Sequence, residues 1–216
     1  MFFLSQKLGE IKKPWIKDFR KGRKLFCLPL IPQVKENEFK GRLKDCADQF
    51  WRRAAVQIKE LEKVGKINRV FFESATKDGN AGLEMIKQLS KQNYDIIKEK
   101  INDGAELVAI ENKDVLDEFF DWSICLSVVR NSSKVFNRVL EFYKDVAVRR
   151  NKEIAERIDV ALKENEAGLL IMTDENRLHV QSYLPSDIQV FLIHPPAFNE
   201  IMRCFRDYMK NQDNNK

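Results

Sequence analysis

The sequence predicts one α/β domain, built on a mostly parallel sheet of about five strands with helices covering both faces. Short apolar runs alternate along the chain with longer amphipathic segments, which is the pattern of parallel sheets buried on both sides. The chain has 216 residues, enough for one sizeable core. Its content of 44% hydrophobic and 33% charged residues is typical of a folded, soluble protein and excludes a disordered one.

Five apolar runs are the predicted strands, at residues 24–31, 67–73, 105–110, 168–172 and 188–193. The apolar spacing between them predicts helices over about 36–64, 81–102, 114–129 and 134–164. A last helix is expected after Pro195-Pro196. Asp114 is a candidate helix cap, and Asn131-Ser132-Ser133 interrupts the chain and can cap the next helix. Residues 173–187 are expected to form a polar loop.

The net charge of +5 comes from the beginning of the chain. Residues 1–24 contain eight Lys and Arg against two acidic residues, whereas the other residues contain 30 basic and 31 acidic groups. An apolar stripe at helical spacing runs along the same segment, at Leu4, Leu8, Ile11, Trp15 and Phe19. The sequence therefore predicts a basic amphipathic arm (1–22), one α/β domain (23–210) and a flexible tail (211–216).

Three interpretations of the basic arm are open. It can dock on the body as a structural arm, lie on an anionic membrane surface or contact the phosphates of a nucleic acid. No nucleic-acid motif accompanies the arm, so nucleic acid has no support beyond charge. Burial against protein is favoured, because Trp15 and Phe19 would otherwise be exposed.

The cysteine pattern favours a reducing, cytoplasmic environment. Cysteines stand alone in apolar runs, without a CxxC pair, at residues 27, 46, 125 and 204. No apolar stretch reaches the ~18 residues of a transmembrane helix, and the apolar run at Met1–Leu4 is too short for a signal peptide. The sequence indicates no metal site and names no cofactor.

Candidate ligand sites lie beyond the carboxyl ends of the predicted strands, where open parallel sheets bind their ligands. Glu73 precedes a loop in which Gly79 and Gly82 could present backbone N–H groups to an anion or substrate. The spacing matches neither a dinucleotide fingerprint nor a Walker loop, and an ordinary solvated turn is the alternative. Glu111 and Asp114 could help Glu73 to bind a cation or move a proton, or could simply belong to a capping turn.

The two histidines are further candidates, because each follows a predicted strand. His179 and His194 have a side chain that titrates near neutral pH, which suits catalysis or metal binding. No helical HxxxH spacing supports a metal, and surface histidines with incidental hydrogen bonds are the alternative. Arg149 and Arg150 lie on the longest predicted helix, where they either face solvent or project into the cleft at the strand ends.

The segment RNKEIAERID from Arg150, the strand GLLIM and His179 resemble the erythromycin-esterase/ChaN/TraB-like group. In that group an R-[DN]-x-x-[MI]-A helix precedes a strand that ends in a loop histidine. Glu73 is similar to the acidic residue that the group places after an earlier strand. The resemblance covers about residues 67–180. The group's Gly-x-x-His after its first strand is missing here, where the sequence reads KLFCLPLIPQ.

Two classes of function follow from these observations. The resemblance implies a hydrolase-like protein in which Glu73 is a general base or cation ligand, His179 a general acid/base or ligand, and Arg150 the holder of an anionic group. Independently of the resemblance, their places after predicted strands make Gly79, Gly82 and His194 candidates for binding an anion or substrate. The alternative is a non-catalytic binding or scaffolding domain that reaches a protein partner, an anionic membrane surface or nucleic acid through its basic arm. Either function is compatible with a small-molecule ligand and with a homo-oligomer.

Overall fold

A computed structural model describes residues 21–32 and 40–213. In this part of the chain, five strands form one parallel sheet in the order β3-β2-β4-β1-β5. The strands are β1 (Arg23–Pro29), β2 (Ile67–Phe72), β3 (Glu106–Val108), β4 (Ala167–Met172) and β5 (Ile188–Leu192). The predicted fold class and all five predicted strands are confirmed.

Seven helices connect or follow these strands in the described residues. They are α1 (Gly41–Leu61), α2 (Gly79–Leu89), α3 (Lys91–Asn102), α4 (Lys113–Val128), α5 (Ser133–Ala161), α6 (Asp174–Gln181) and α7 (Ala197–Asp213). None of the described helices is both long and apolar enough to cross a membrane.

The sheet separates two apolar layers, because successive side chains of a strand point to opposite faces. Phe26 of β1 and Leu169 of β4 lie in the layer that α1, α2, α3 and α7 cover. Leu25 and Leu170, their direct neighbours, lie in the layer that α5 and α6 cover. The helices thus cover both faces of the sheet, as predicted.

The central strand of the sheet, β4, is the fourth strand in the sequence. The chain passes from β1 to β2 and β3 on one side, and β4 then returns to pair with both β1 and β2. Because all strands are parallel, the carboxyl ends of β3, β2 and β4 lie side by side at one edge. This arrangement brings together the residues that follow these three strands.

Two predictions about helix ends are wrong. The helix expected over 81–102 is two helices, because Ser90 has an extended backbone and its hydroxyl accepts the backbone N–H of Asn93, which starts α3. Helix α4 is capped by Asn112 rather than by Asp114, since the Asn112 side chain accepts the backbone N–H of Asp114. The predicted cap at the next break is confirmed, where Ser132 accepts the backbone N–H of Val135.

Two further predictions differ from the structure, and one lies outside it. Helix α6 occupies half of the expected polar loop 173–187. Helix α7 continues to Asp213, so part of the predicted tail 211–216 is helical. Residues 1–20 of the basic arm, residues 33–39 at the expected start of α1 and residues 214–216 lie outside the described residues.

The expectation of four unpaired cysteines is also wrong. Cys46 of α1 and Cys204 of α7 form a disulfide bond across 158 positions of the sequence. Cys27 of β1 and Cys125 of α4 are free. Burial raises the pKa of the Cys27 thiol to about 12, which makes it unreactive at neutral pH. The disulfide joins two helices that pack against each other on one face of the sheet.

Replacement of one cysteine tests this crosslink. Under oxidising conditions, we expect Cys46→Ser to lower the free energy of unfolding by about 2–4 kcal/mol, because a long loop is no longer closed in the unfolded chain. Urea titration with and without reductant measures the loss, which should shrink when the wild-type protein is reduced. Cys125→Ser is the control. Four free thiols in the denatured, unreduced wild-type protein would contradict the crosslink.

Candidate functional site

A buried ion cluster of Glu73, Glu111 and Arg150 lies at the carboxyl edge of the sheet. Glu73 directly follows β2, Glu111 follows the end of β3, and Arg150 lies within α5. Their relative exposures are 6%, 2% and 3%, respectively. Charged side chains are rarely buried to this extent unless they are paired, so the contacts of each group decide what the cluster does.

Arg150 binds Glu111 through two of its guanidinium nitrogens. Its Nε donates to Glu111 Oε2 at 2.9 Å, and its Nη2 donates to Glu111 Oε1. The same Nη2 lies 3.5 Å from Glu73 Oε1. Glu111 also accepts the backbone N–H of Ser74 at 3.1 Å. The bidentate geometry is the strongest form of an arginine–carboxylate pair.

Glu73 connects the end of β2 to the end of β4 and the first turn of α6. It accepts the backbone N–H of Thr173 at 2.7 Å, the Thr173 hydroxyl at 3.3 Å and the side-chain amide of Asn176. With Arg150, three of these four contacts fall on Oε1, and Oε2 accepts the backbone N–H of Thr173. Both oxygens of the Glu73 carboxylate are therefore held by donors of the protein.

The ring of Phe119 in α4 covers one face of the Arg150 guanidinium group. The Arg150 Cζ atom lies 4.7 Å from the centroid of this ring. Burial acts to lower the pKa of Arg150, but the hydrogen bond to Glu111 and the charges of Glu111 and Glu73 outweigh it. The pKa of Arg150 consequently lies above its ordinary value, and the side chain is charged at every physiological pH.

The cluster has the chemistry of a structural crosslink. A general base needs an acceptor within reach of a substrate proton, whereas the Glu73 oxygens already face donors of the protein. Within residues 21–32 and 40–213, no group of three or more His, Cys, Asp or Glu side chains is arranged to hold a metal ion. The cluster joins five segments: the ends of β2, β3 and β4 and the helices α5 and α6.

The structure does not bring the two histidines into contact with the cluster. His179 is exposed on α6, and its backbone carbonyl accepts the backbone N–H and the hydroxyl of Ser182. His194 is exposed beyond β5, which β1 separates from β4, and its ring packs edge-on against Phe198 at 4.6 Å. Of the three residues that the resemblance implies, Glu73 and Arg150 meet each other and His179 does not touch them.

Gly79 and Gly82 lie where α2 begins, next to β3. A Cβ atom at Gly82 would approach the Lys77 carbonyl oxygen to 2.1 Å, so close packing requires glycine there. Gly79 starts the helix with a φ of +52°. The loop before it is held to β3, because the Asp78 carboxylate accepts the backbone N–H of Ala109 at 2.7 Å. Close packing at Gly82 and the positive φ at Gly79 thus explain why this turn has glycine at both positions.

A second feature is the α4–α5 hairpin, in which α4 (Lys113–Val128) packs antiparallel to residues 133–148 of α5. The strands span at most about 23 Å, whereas the 29 residues of α5 span about 43 Å. The first buried residue of α5 is Val146, and in α4 only Val115 and Leu116 are buried. Both helices therefore extend beyond the carboxyl edge of the sheet.

The hairpin exposes an apolar surface along its length. Phe120, Ile124 and Val128 form one stripe on α4, with relative exposures of 47%, 60% and 63%. Val135, Phe136 and Phe142 are exposed apolar side chains of α5. The stripe on α4 points away from α5, because Glu118, Phe119 and Trp122 are the α4 residues that contact α5. Ring contacts hold the two helices together, with Trp122 stacked on Phe142 at 4.7 Å and Phe119 at 5.2 Å from Tyr143. An exposed apolar stripe of this kind is a candidate interaction surface.

Sequence reasoning found three members of the ion cluster but missed Thr173 and Asn176 as individual partners. Their signal was present: if a helix is recognised after β4, positions 173 and 176 fall at its cap and in its first turn, facing the neighbouring strand end. The hairpin surface gave no such signal, because its apolar stripes have the spacing of any core-facing helix.

Comparison with protein families, curated proteins and solved structures finds no match to this chain. The likeness to the erythromycin-esterase/ChaN/TraB-like group therefore rests on the short motifs around Glu73, Arg150 and His179 alone. Any functional conclusion has to come from the geometry of the cluster and the hairpin.

Substitution of Arg150, compared with substitution of the neighbouring Arg149, tests whether the cluster stabilises the fold. We expect Arg150→Met to lower the free energy of unfolding by about 3–5 kcal/mol, because Glu111 stays buried without its counter-charge. Arg149→Met is the matched control: Arg149 pairs with Glu118 on the surface, and its loss should cost no more than about 1 kcal/mol. Urea titration of both variants measures the difference, and equal losses would show that the cluster has no special stabilising role.

Proposed function

We propose that this chain is a non-catalytic protein-binding domain and that the α4–α5 hairpin is its contact surface. The observation that carries the proposal is the exposed apolar stripe of Phe120, Ile124 and Val128, on the part of α4 that lies beyond the sheet. Large apolar side chains that are exposed side by side, rather than singly, are typical of surfaces that bind another protein.

The base of the hairpin supports this function. Arg150 fixes α5 to the ends of β2 and β3 through its contacts with Glu73 and Glu111. The Phe119 ring of α4 packs on the same guanidinium group. The Arg149–Glu118 ion pair joins the two helices next to it. A surface that is held rigidly loses little conformational entropy on binding, so a cluster that fixes the hairpin favours partner binding.

The hydrolase-like alternative has less support. Its expected base, Glu73, accepts four hydrogen bonds within the protein, and its expected acid/base, His179, lies on the exposed side of α6. The ion cluster lies where open α/β sheets bind their ligands, at the carboxyl ends of the strands. Its donors and acceptors, however, pair with each other. A cytoplasmic location stays a prediction, and the Cys46–Cys204 disulfide instead favours an oxidising compartment or a redox-regulated state.

Site-specific photocrosslinking tests the proposal. With benzoylphenylalanine in place of Phe120, in cells that normally make the protein, we expect covalent protein adducts, because this side chain lies in the contact surface. The same probe in place of Val56, which is 59% exposed on α1, is the matched control and should give none. An additional Ile124→Glu substitution should abolish the adduct at position 120, since a charge would be buried on binding.

Two results would overturn the proposal. One is the absence of adducts at position 120 above the level at position 56. The other is hydrolysis of an ester or phosphoester probe by the purified chain that Glu73→Gln abolishes and Ile124→Glu leaves unchanged, because that result would make the strand-end cluster a catalytic site.

A further inference from the structure

We propose that a cleft between α1 and the junction of α2 with α3 binds a small molecule that joins a phosphate or carboxylate group to a flat ring. The cleft has a volume of about 710 Å³, which is within the range of small-molecule sites. None of the described residues that line it belongs to the α4–α5 hairpin, so this site goes beyond the proposed function and does not rest on it.

Two polar atoms beside the cleft are buried without a hydrogen-bond partner in the described residues. The indole Nε1 of Trp51, a residue of α1 that lines the cleft, is a donor without an acceptor. The Oδ1 of Asn93, which is completely buried on α3, is an acceptor without a donor. Buried polar atoms are nearly always paired, so a bound molecule that carries both an acceptor and a donor would satisfy this side of the protein.

Ser90 connects Asn93 to the cleft. It lines the cleft, is 4% exposed, and its hydroxyl accepts the backbone N–H of Asn93 at 3.4 Å and the side-chain amide of Asn93 at 2.9 Å. Because both lone pairs of this oxygen are used, its proton points away from Asn93 and can be donated to a ligand. The unpaired Oδ1 belongs to the same amide group, so it lies within about 5 Å of the Ser90 oxygen.

The start of α3 favours an anion at this place. The first N–H groups of an α-helix have no acceptor within the helix and form the positive end of its dipole. Ser90 caps the N–H of Asn93, and the hydrogen bonds of the described residues leave those of Lys91 and Gln92, which also line the cleft, to a ligand or solvent. Phosphate and carboxylate groups bind at such helix starts, and the Ser90 hydroxyl adds a third donor.

The charged side chains around the cleft favour an anion as well. Among the lining residues, Lys44, Lys87 and Lys91 outnumber Asp48 and Asp95. Each aspartate lies one helical turn after a lysine of its own helix, so neither helix presents an acidic group alone. The flexible stem of lysine allows the ammonium groups to turn toward an anion that is bound at the start of α3.

The indole ring of Trp51 provides a wall for the flat part of the ligand. The ring packs edge-on against Phe50 of the core, with 4.9 Å between the ring centroids, and also borders the cleft. Leu89, which is 51% exposed at the end of α2, adds an apolar side chain to the same cleft. A ring that stacks on the indole while its anionic group reaches the start of α3 contacts both walls of the cleft.

Nuclear magnetic resonance of the isotope-labelled full chain with phenyl phosphate tests the site. The chain has three tryptophans, and Trp51→Phe identifies the indole signal of Trp51. We expect phenyl phosphate to shift this signal and the amide signals of Lys91 and Gln92, with a dissociation constant of about 1 mM or below. The indole signal of Trp122 on the hairpin should stay unchanged. Benzoate is measured in parallel, and the tighter of the two probes assigns the anionic group.

Two fragments test whether the ring and the anion are both recognised. Inorganic phosphate lacks the ring and phenol lacks the anion, so each should bind at least about tenfold more weakly than phenyl phosphate. Equal affinity of phenyl phosphate and either fragment would overturn the proposed class of ligand. The absence of a shift at Trp51 with both phenyl phosphate and benzoate would overturn the site itself.

A pair of charge variants tests the place of binding. Lys44→Gln/Lys91→Gln should raise the dissociation constant for phenyl phosphate about tenfold, because two ammonium groups of the cleft are lost. Lys59→Gln/Lys63→Gln is the matched control, since it removes the same charge from exposed positions outside the cleft and should leave the affinity unchanged. Circular dichroism checks that both variants keep the fold. Equal weakening by the two variants would show attraction by net charge alone and would overturn the proposal.

Discussion

The pairing of Arg150 with Glu111 and Glu73 is the interaction on which the carboxyl edge of this protein depends. Each of the three charges is almost completely removed from water, which costs several kcal/mol per ion before any contact is made. The bidentate pair with Glu111 and the closed set of donors around Glu73 offset that cost. Because the partners lie 39 and 77 positions away from Arg150, the cluster forms only when the sheet is complete.

The strand order makes this pairing possible and gives it a consequence. Since β4 returns to the gap between β1 and β2, the helix that precedes it crosses the edge at which β2 and β3 end. Arg150 marks the crossing point on α5. Residues that follow it cover the sheet, and residues that precede it belong to the hairpin. The cluster is thus the joint between the folded body and its exposed apolar surface.

Hydrophobic periodicity was sufficient to predict the strands and most helices. The rule for strand ends selected Glu73 and Glu111, together with two histidines that lie apart from the cluster, whereas Arg150 was indicated by its short motif on the longest helix. Hydrophobic periodicity could not predict contacts between residues far apart in the sequence, or elements without an apolar pattern. Helix α6 is short and polar, so nothing in its apolar spacing indicated it. The Cys46–Cys204 bond joins positions that only the folded sheet brings together. An apolar stripe such as Phe120–Ile124–Val128 has the same spacing whether it faces a core or solvent, so its exposure depends on tertiary structure.

A double-mutant cycle between Arg150 and Glu111 tests the central claim, that the two charges act as one structural unit. The free energy of unfolding is measured for Arg150→Met, for Glu111→Leu and for the double variant. Arg150→Met leaves Glu111 buried without its counter-charge, and Glu111→Leu leaves Arg150 with only its longer contact to Glu73. The double variant should therefore lose less stability than the sum of the two losses, with a coupling energy of about 2–3 kcal/mol. Losses that add to within about 0.5 kcal/mol would contradict the claim.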